Sequence, residues 1–302
     1  MKKILFLSFS LLFVITAYSQ QELNLTSTFP KDPNLRYGIF DNGMTYDIRK
    51  NGKPEKRVEL QLAVKVGSTM ESDAQQGLAH FCEHIAFNGS KNFPGNEIIQ
   101  KLEAEGIKFG QNLNAYTAFD QTVYMLQVSS EQRVIDLGLQ VLEDWAAYLN
   151  FDSKEIEKER GVIIEEWRLG QGADERLQKQ YWPYLFKGSR YADRLPIGKK
   201  EVLDNFKDET LISFYKDWYR PDLMAVIAVG DFDIDKMEKQ VKDKFSKIPK
   251  HKNPKPLQSF EVPDHKETLI VKATDKETPY TFVQMYYKHP SESNTTIGDY
   301  RR

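Results

Sequence analysis

Two histidines and a glutamate stand together at His80-Phe-Cys-Glu83-His84, inside the stretch Gly77-Leu-Ala-His-Phe-Cys-Glu-His-Ile-Ala-Phe-Asn-Gly89. On a helix advancing roughly 100° per residue, Glu83 falls about 60° to one side of His80 and His84 about 40° to the other. All three therefore share one polar arc. Two imidazoles four residues apart can grip one zinc ion, and the carboxylate between them can reach a water on that ion. The opposite face carries Leu78, Cys82 and Ile85, enough apolar surface to seat the helix in a core. Cys82 is the single cysteine of the chain, which excludes an internal disulfide framework. It sits about 160° round the helix from His80 and reads as a small buried apolar residue.

Two histidines do not complete a catalytic zinc site, which takes three protein ligands and keeps a fourth position open. His251, His265 and His289 fall in a linker and beyond it, and read as solvated surface histidines. The helix expected from Lys154 to Leu169 offers carboxylates instead. Glu159 and Glu166 are seven residues apart and so about 20° apart on the wheel, in a stripe with Ile156, Val162 and Ile163. A carboxylate in an apolar stripe needs a partner, because leaving it unpaired costs several kcal/mol. A zinc ion at one and a histidine or arginine at the other would supply partners. A purely structural ion pair with Arg160 or Arg176 would do so equally. Glu165 lies about 120° away with Lys158 and Arg168, where it reads as a solvated glutamate.

These side chains need a scaffold. Tyr37 to Arg49 reads as a hairpin about the turn Asp41-Asn-Gly43, and Arg57 to Val66 alternates as a half-buried strand. A short helix follows at Glu97–Glu105, then one or two strands between Leu113 and Val128. Ser130 is placed to cap a helix running to about Leu149, and Asp152 or Ser153 to cap the next, which extends toward Tyr184. Glu201 to Trp218 reads as a helix, Met224 to Val229 as a buried strand and Ile234 to Phe245 as a helix. Further strands are expected at Leu269–Val271 and Tyr280–Tyr287. The order predicts an α+β fold: a mainly antiparallel sheet with helices packed on one face.

The domain division expected is a signal peptide at 1–19, a polar lead-in at 20–34, a main domain at 35–249, a proline-rich linker at 250–258, and the start of a second domain at 259–302. Lys2-Lys3, the apolar run Ile4–Thr16 and Ala17-Tyr-Ser19 form the three regions of a cleavable leader, which predicts export, with the bacterial periplasm as destination. The apolar run is too short to span a bilayer comfortably. No other segment is a transmembrane candidate. Asn294-Thr-Thr296 is placed to cap a helix at the very end of the sequence, which suggests a longer parent. A hydrophobic fraction of 40% is that of a globular protein, and a formal net charge of −2 gives no reason to expect nucleic acid as partner.

Taken together, Gly77 to Ser90, Asn114-Ala-Tyr-Thr117, Glu159-Arg-Gly-Val-Ile-Ile-Glu-Glu166 and Trp218-Tyr-Arg-Pro-Asp-Leu-Met-Ala-Val-Ile-Ala-Val-Gly-Asp231 resemble the first domain of the pitrilysin/insulinase zinc metallopeptidases. The resemblance runs from about Leu35 onward and is nearest to large exported bacterial members. It implies one zinc ion held by His80, His84 and Glu166, with Glu83 as general base and Glu159 as the carboxylate behind the ligands. It also implies that Asn114, Ala115 and Tyr116 hold substrate backbone as an added strand. The interval from His84 to Glu166 is a few residues longer than is usual in the family. That puts extra residues in a loop and leaves Glu165 as the neighbouring alternative. The activity implied is endopeptidase or oligopeptidase hydrolysis of an unfolded peptide. A second half of the parent chain, or a partner subunit, would close the chamber, so the 302 residues alone would bind zinc but cleave weakly. Two other readings are a non-catalytic binding or scaffold subunit of the same fold, which would typically lose the motif, and a structural zinc domain, which would fill the fourth position.

Overall fold

Asn42 and Gly43 close the first hairpin, between β1 (Leu35–Ile39) and β2 (Thr45–Lys50), in the computed structural model, which describes residues 24–290 and 292–301. The leader expected at 1–19 lies outside the described residues. Gly43 has φ 94, a left-handed value that glycine adopts without steric cost. The Asn42 amide donates to the carbonyls of Phe245 and Ile248 at 2.8 and 2.9 Å, which ties the turn to the last helix of the main unit.

That unit, Asn34–Val283, is built on a six-stranded sheet of order β1-β2-β6-β3-β5-β4. The other strands are β3 (Arg57–Val64), β4 (Leu113–Thr117), β5 (Thr122–Ser129) and β6 (Met224–Gly230). Of the five pairings, only β2 with β6 is parallel, so the sheet is mainly antiparallel as predicted. In β3 the alternation is plain: Val58, Leu60, Leu62 and Val64 are fully buried, with Glu59, Gln61 and Ala63 between them on the half-open face.

The helices are α1 (Leu78–Ile85), α2 (Glu97–Ala104), α3 (Gln132–Ala147), α4 (Ser153–Leu169), α5 (Ala173–Leu185), α6 (Lys200–Asn205), α7 (Asp208–Trp218) and α8 (Ile234–Phe245). α3 crosses the buried face of β3 so closely that a Cβ on Gly138 would stand 2.7 Å from Leu60 Cδ1. Trp145 of α3 is fully buried, stacks on Tyr124 of β5 at 5.0 Å, and donates from Nε1 to the Ala86 carbonyl at 2.9 Å. It joins the sheet to the end of α1. Trp145→Ala is expected to lower stability by about 3–5 kcal/mol. Urea denaturation would show it as a reduced midpoint at an unchanged slope.

Three expectations change. The helix predicted from Asp152 toward Tyr184 is two, α4 and α5, because Gly170 closes the first and Gly172, extended at ψ −178, opens the second. The helix predicted over 201–218 is also two. Phe206 and Lys207 are extended between α6 and α7, and Phe206 is drawn into the core against Phe81, with Arg160 over its ring at 4.0 Å. Packing overrides local propensity there. Residues 269–271 and 280–287 form no strand. Ile270 is 88% and Val283 89% exposed, and a run of apolar residues becomes a strand only where a sheet edge accepts it. Two caps also sort out. Asp152 accepts from Lys154 N–H at 2.8 Å as expected, while the residue before α3 is Glu131, one beyond Ser130 and with no side-chain cap.

The second compact unit takes the described residues on either side of the first. Thr296 caps a short helix, α9 (Ile297–Tyr300), with Asp299 returning the bond to the Thr296 amide at 2.9 Å. Within the same unit, the amides of Ile297 and Gly298 donate to Ser27 and Leu25. No helix among the described residues is long and apolar enough to cross a membrane.

Candidate active site

α1 begins at Gly77, whose φ of 102 turns the chain sharply into the helix. Leu78, Phe81, Cys82 and Ile85 are buried on its inner face; His80 and His84 lie on the other. α1 packs against α4, α7 and β4. α4 lays its Glu159 and Glu166 beside the two histidines, and β4 brings Thr117 to Glu83.

Glu166 reaches both imidazoles. Its carboxylate oxygens lie 3.7 Å from His80 Nε2 and 3.5 Å from His84 Nε2. Ligand atoms of His80, His84 and Glu166 all fall within 4.8 Å of one another. Glu159 stands behind them: its Oε1 accepts from His84 Nδ1 at 2.8 Å and its Oε2 from Asn88 Nδ2 at 2.5 Å. A carboxylate partner on Nδ1 leaves the Nε2 of His84 free to act as a ligand. Glu83 is buried, and its Oε2 accepts from the Thr117 hydroxyl at 2.7 Å.

The electrostatics follow from burial and these contacts. Burial holds the His80 imidazole neutral, down to about 3, with the neighbouring His84 adding to the effect. Burial also pulls His84 down, but the hydrogen bond to Glu159 and the carboxylates of Glu83, Glu159 and Glu166 outweigh it and raise its pKa. Glu159 is pushed up by burial, yet the bonds from His84 and Asn88 bring it below the usual glutamate value. Burial raises Glu83 against the opposing Thr117 hydrogen bond and His84 charge.

The arginine partners weighed for the two glutamates are engaged elsewhere. Arg160 pairs with Glu157 at 3.0 Å and Arg176 with Asp275 at 2.7 Å. Glu165 pairs with Arg168 at 2.6 Å on the outer face of α4. Asn114, Ala115 and Tyr116 lie in β4 at the edge of the sheet, one side paired to β5. The Asn114 and Tyr116 side chains are exposed, and Ala115 is half-buried against the core.

Thr117, Asn88 and Glu71 were not legible as site residues. Thr117 and Asn88 lie within the motif stretches, but nothing in their spacing gives a partner. Glu71 precedes the motif, and only the fold brings it back. It is fully buried and its Oε1 accepts from the amides of Gly77 and Ala79 at 3.0 and 2.8 Å. Burial pushes its carboxyl up to about 8, against the pull of those two amides and of Arg194 and Arg190. A folded pKa raised from 4.5 contributes stability below about 4.5 that is lost as pH rises through about 8. Denaturation midpoints between those limits should therefore fall more steeply for the native protein than for Glu71→Gln. Equal slopes would contradict that pKa.

The cluster suits zinc. It offers two imidazole nitrogens and one carboxylate, the donor set of a catalytic site with one position open. The Glu159–His84 contact is the carboxylate–histidine arrangement that orients metal ligands.

A single open, mainly antiparallel sheet carrying the His-x-x-Glu-His helix, with a glutamate supplied from a second helix, defines a domain of the pitrilysin-type metallopeptidase class. Two profiles of one family match: insulinase (peptidase family M16) over residues 48–182, and the peptidase M16 inactive domain over 205–298. The chain belongs to the insulinase, or M16, peptidase family. It is 35% identical over 300 residues to the probable zinc protease PqqL of Haemophilus influenzae, covering 97% of this chain and 32% of that protein. It is also 35% identical to the Escherichia coli probable zinc protease PqqL, over 88% of this chain and 29% of that one. The chain thus spans about a third of the length of these relatives. Among solved structures, the first half of the periplasmic protease PqqL from E. coli superposes with a TM-score of 0.74 at 35% identity, over 78% of this chain and 51% of that one. Pitrilysin does so at 0.65 and 25% identity, over 80% of this chain and 26% of that one.

Proposed function

We propose that this chain carries the zinc-binding domain of an exported endopeptidase or oligopeptidase. The observation that carries the reading is the convergence of His80, His84 and Glu166 within 4.8 Å, beside a buried Glu83. His80, His84 and Glu166 would hold the ion, and Glu159 would keep His84 in the ligating tautomer. When bound, zinc supplies Lewis acidity toward a scissile carbonyl and acidifies water. Glu83 takes a proton from the attacking water and passes it to the leaving amine. Thr117 holds the Glu83 carboxylate in place for both transfers. The raised pKa of Glu83 makes its carboxylate the stronger base for taking a proton from water.

Substrate would enter along β4. The strand is an edge, so its outer backbone groups offer a template for an added peptide strand, with Asn114, Ala115 and Tyr116 as its central positions.

In this reading residues 35–249 form the catalytic domain, 250–258 a linker and 259–302 the start of a second domain, after a signal peptide at 1–19 and a lead-in at 20–34. A second half closes on the substrate. Export to the periplasm is supported by the leader pattern and by the periplasmic relative. The test is zinc content and cleavage of an unfolded peptide, measured for this chain alone and for the full-length parent. One zinc per chain is expected in both, with weak cleavage by the chain alone and strong cleavage by the parent. Absence of zinc from both would sink the reading.

A further inference from the structure

The two histidines of α1 are not oriented alike. His84 has Glu159 on its Nδ1, but His80 Nδ1 is buried with no hydrogen-bond partner. The aim of His80 must therefore come from the placement of the helix itself. α1 has only eight residues, and its N-cap is a glycine with no side chain to offer the amides of the first turn. The first intrahelical bond runs from Phe81 N–H to Gly77 carbonyl at 3.0 Å, so the amides before it need outside partners. Two of them, Gly77 and Ala79, are taken by one oxygen of Glu71, and Ala79 is the residue next to His80.

Glu71 is itself fixed. Its amide donates to Ser68 carbonyl at 3.2 Å, and its carbonyl accepts from Arg190 and from Arg194 Nε at 3.3 Å. Arg194 is buried and pairs with Asp73 and Asp193 at 2.5 and 2.7 Å. The same segment presses on the helix start, where a Cβ on Gly198 would stand 2.3 Å from Gly77 Cα. A short helix gripped at its first turn from two sides has little freedom to rotate. Metal and catalytic sites need that rigidity, since productive geometry holds only within about 0.5 Å and 10–20°.

We propose that Glu71 is a positioning residue for the metal helix, its carboxyl group setting the start and rotation of α1 and so the aim of His80. The proposal rests on the zinc reading of the site given above. It acts through the backbone, so an amide, which keeps one carbonyl oxygen, serves nearly as well as the acid.

The experiment compares Glu71→Ala and Glu71→Gln in this chain by zinc affinity, from competition with a chromogenic chelator, and by the visible spectrum of the cobalt(II)-substituted protein. Glu71→Ala is expected to weaken zinc binding by about 10–100-fold, the usual effect of removing a group that orients ligands, and to alter the cobalt bands. Glu71→Gln is expected to restore both to near the native values. Native zinc affinity and an unchanged cobalt spectrum in folded Glu71→Ala would overturn the proposal, because a purely structural cap would move only the melting temperature. Should Glu71→Ala fail to fold, Glu71→Asp, a methylene too short to reach both amides, replaces it with the same expected and overturning results. His80→Ala serves as the separate control. If it binds zinc as the native chain does, the zinc reading itself falls, and this proposal with it.

Discussion

Glu83→Gln, in the protein with its second half present, is expected to keep its zinc and to lose cleavage by about 10²–10⁴-fold, the usual worth of general acid–base catalysis. Glutamine is nearly isosteric, and its carbonyl oxygen can still accept from the Thr117 hydroxyl that lies 2.7 Å from Glu83 Oε2. The helix and its ligands should therefore stay where they are. What the amide cannot do is take a proton from water. The measurement pairs metal analysis with initial rates on an unfolded peptide. Retained zinc with abolished cleavage separates a peptidase from a binding or scaffold subunit, which would show no cleavage to lose. Cleavage surviving at the native rate would remove Glu83 from the chemistry.

A second contrast sets two adjacent residues against each other. Glu166→Gln is expected to lower zinc affinity by roughly a hundredfold, and Glu165→Gln to leave it unchanged. The magnitude follows from dividing the roughly 10–16 kcal/mol of a four-ligand zinc site among its ligands, which gives about 3 kcal/mol each. The asymmetry follows from the geometry. Glu166 lies 3.7 and 3.5 Å from the two histidines, while Glu165 is on the outer face with Arg168 at 2.6 Å. Losing that exposed pair should matter little, since surface ion pairs contribute about 0–1 kcal/mol. Chelator competition on the two variants reads the difference. The reverse order would move the third ligand one residue back along α4.

Periodicity carried much of the scaffold. The alternation of Val58, Leu60, Leu62 and Val64 and the Asn42-Gly43 turn are local signals, and both elements form as expected. The errors are places where local signal does not decide. Phe206 leaves a helical run because a pocket beside Phe81 and Arg160 takes its ring. The apolar residues of 280–287 stay out of any sheet among the described residues because strand pairing depends on what stands alongside.

Spacing alone put His80, Glu83 and His84 on one arc of one helix, because 3.6 residues per turn is a property of the backbone. It likewise put Glu159 and Glu166 on one face of another. It did not say what either glutamate faces, and left an arginine pair as good an answer as a histidine. Only the packing of α4 against α1 decided that, sending Arg160 to Glu157 and Arg176 to Asp275 and leaving Glu159 and Glu166 to the histidines. The tertiary structure alone also supplied Thr117, from a strand 34 residues away, and Glu71, from a loop folded back beneath the helix start. Contacts of that kind have no period, since they come from where separate elements meet.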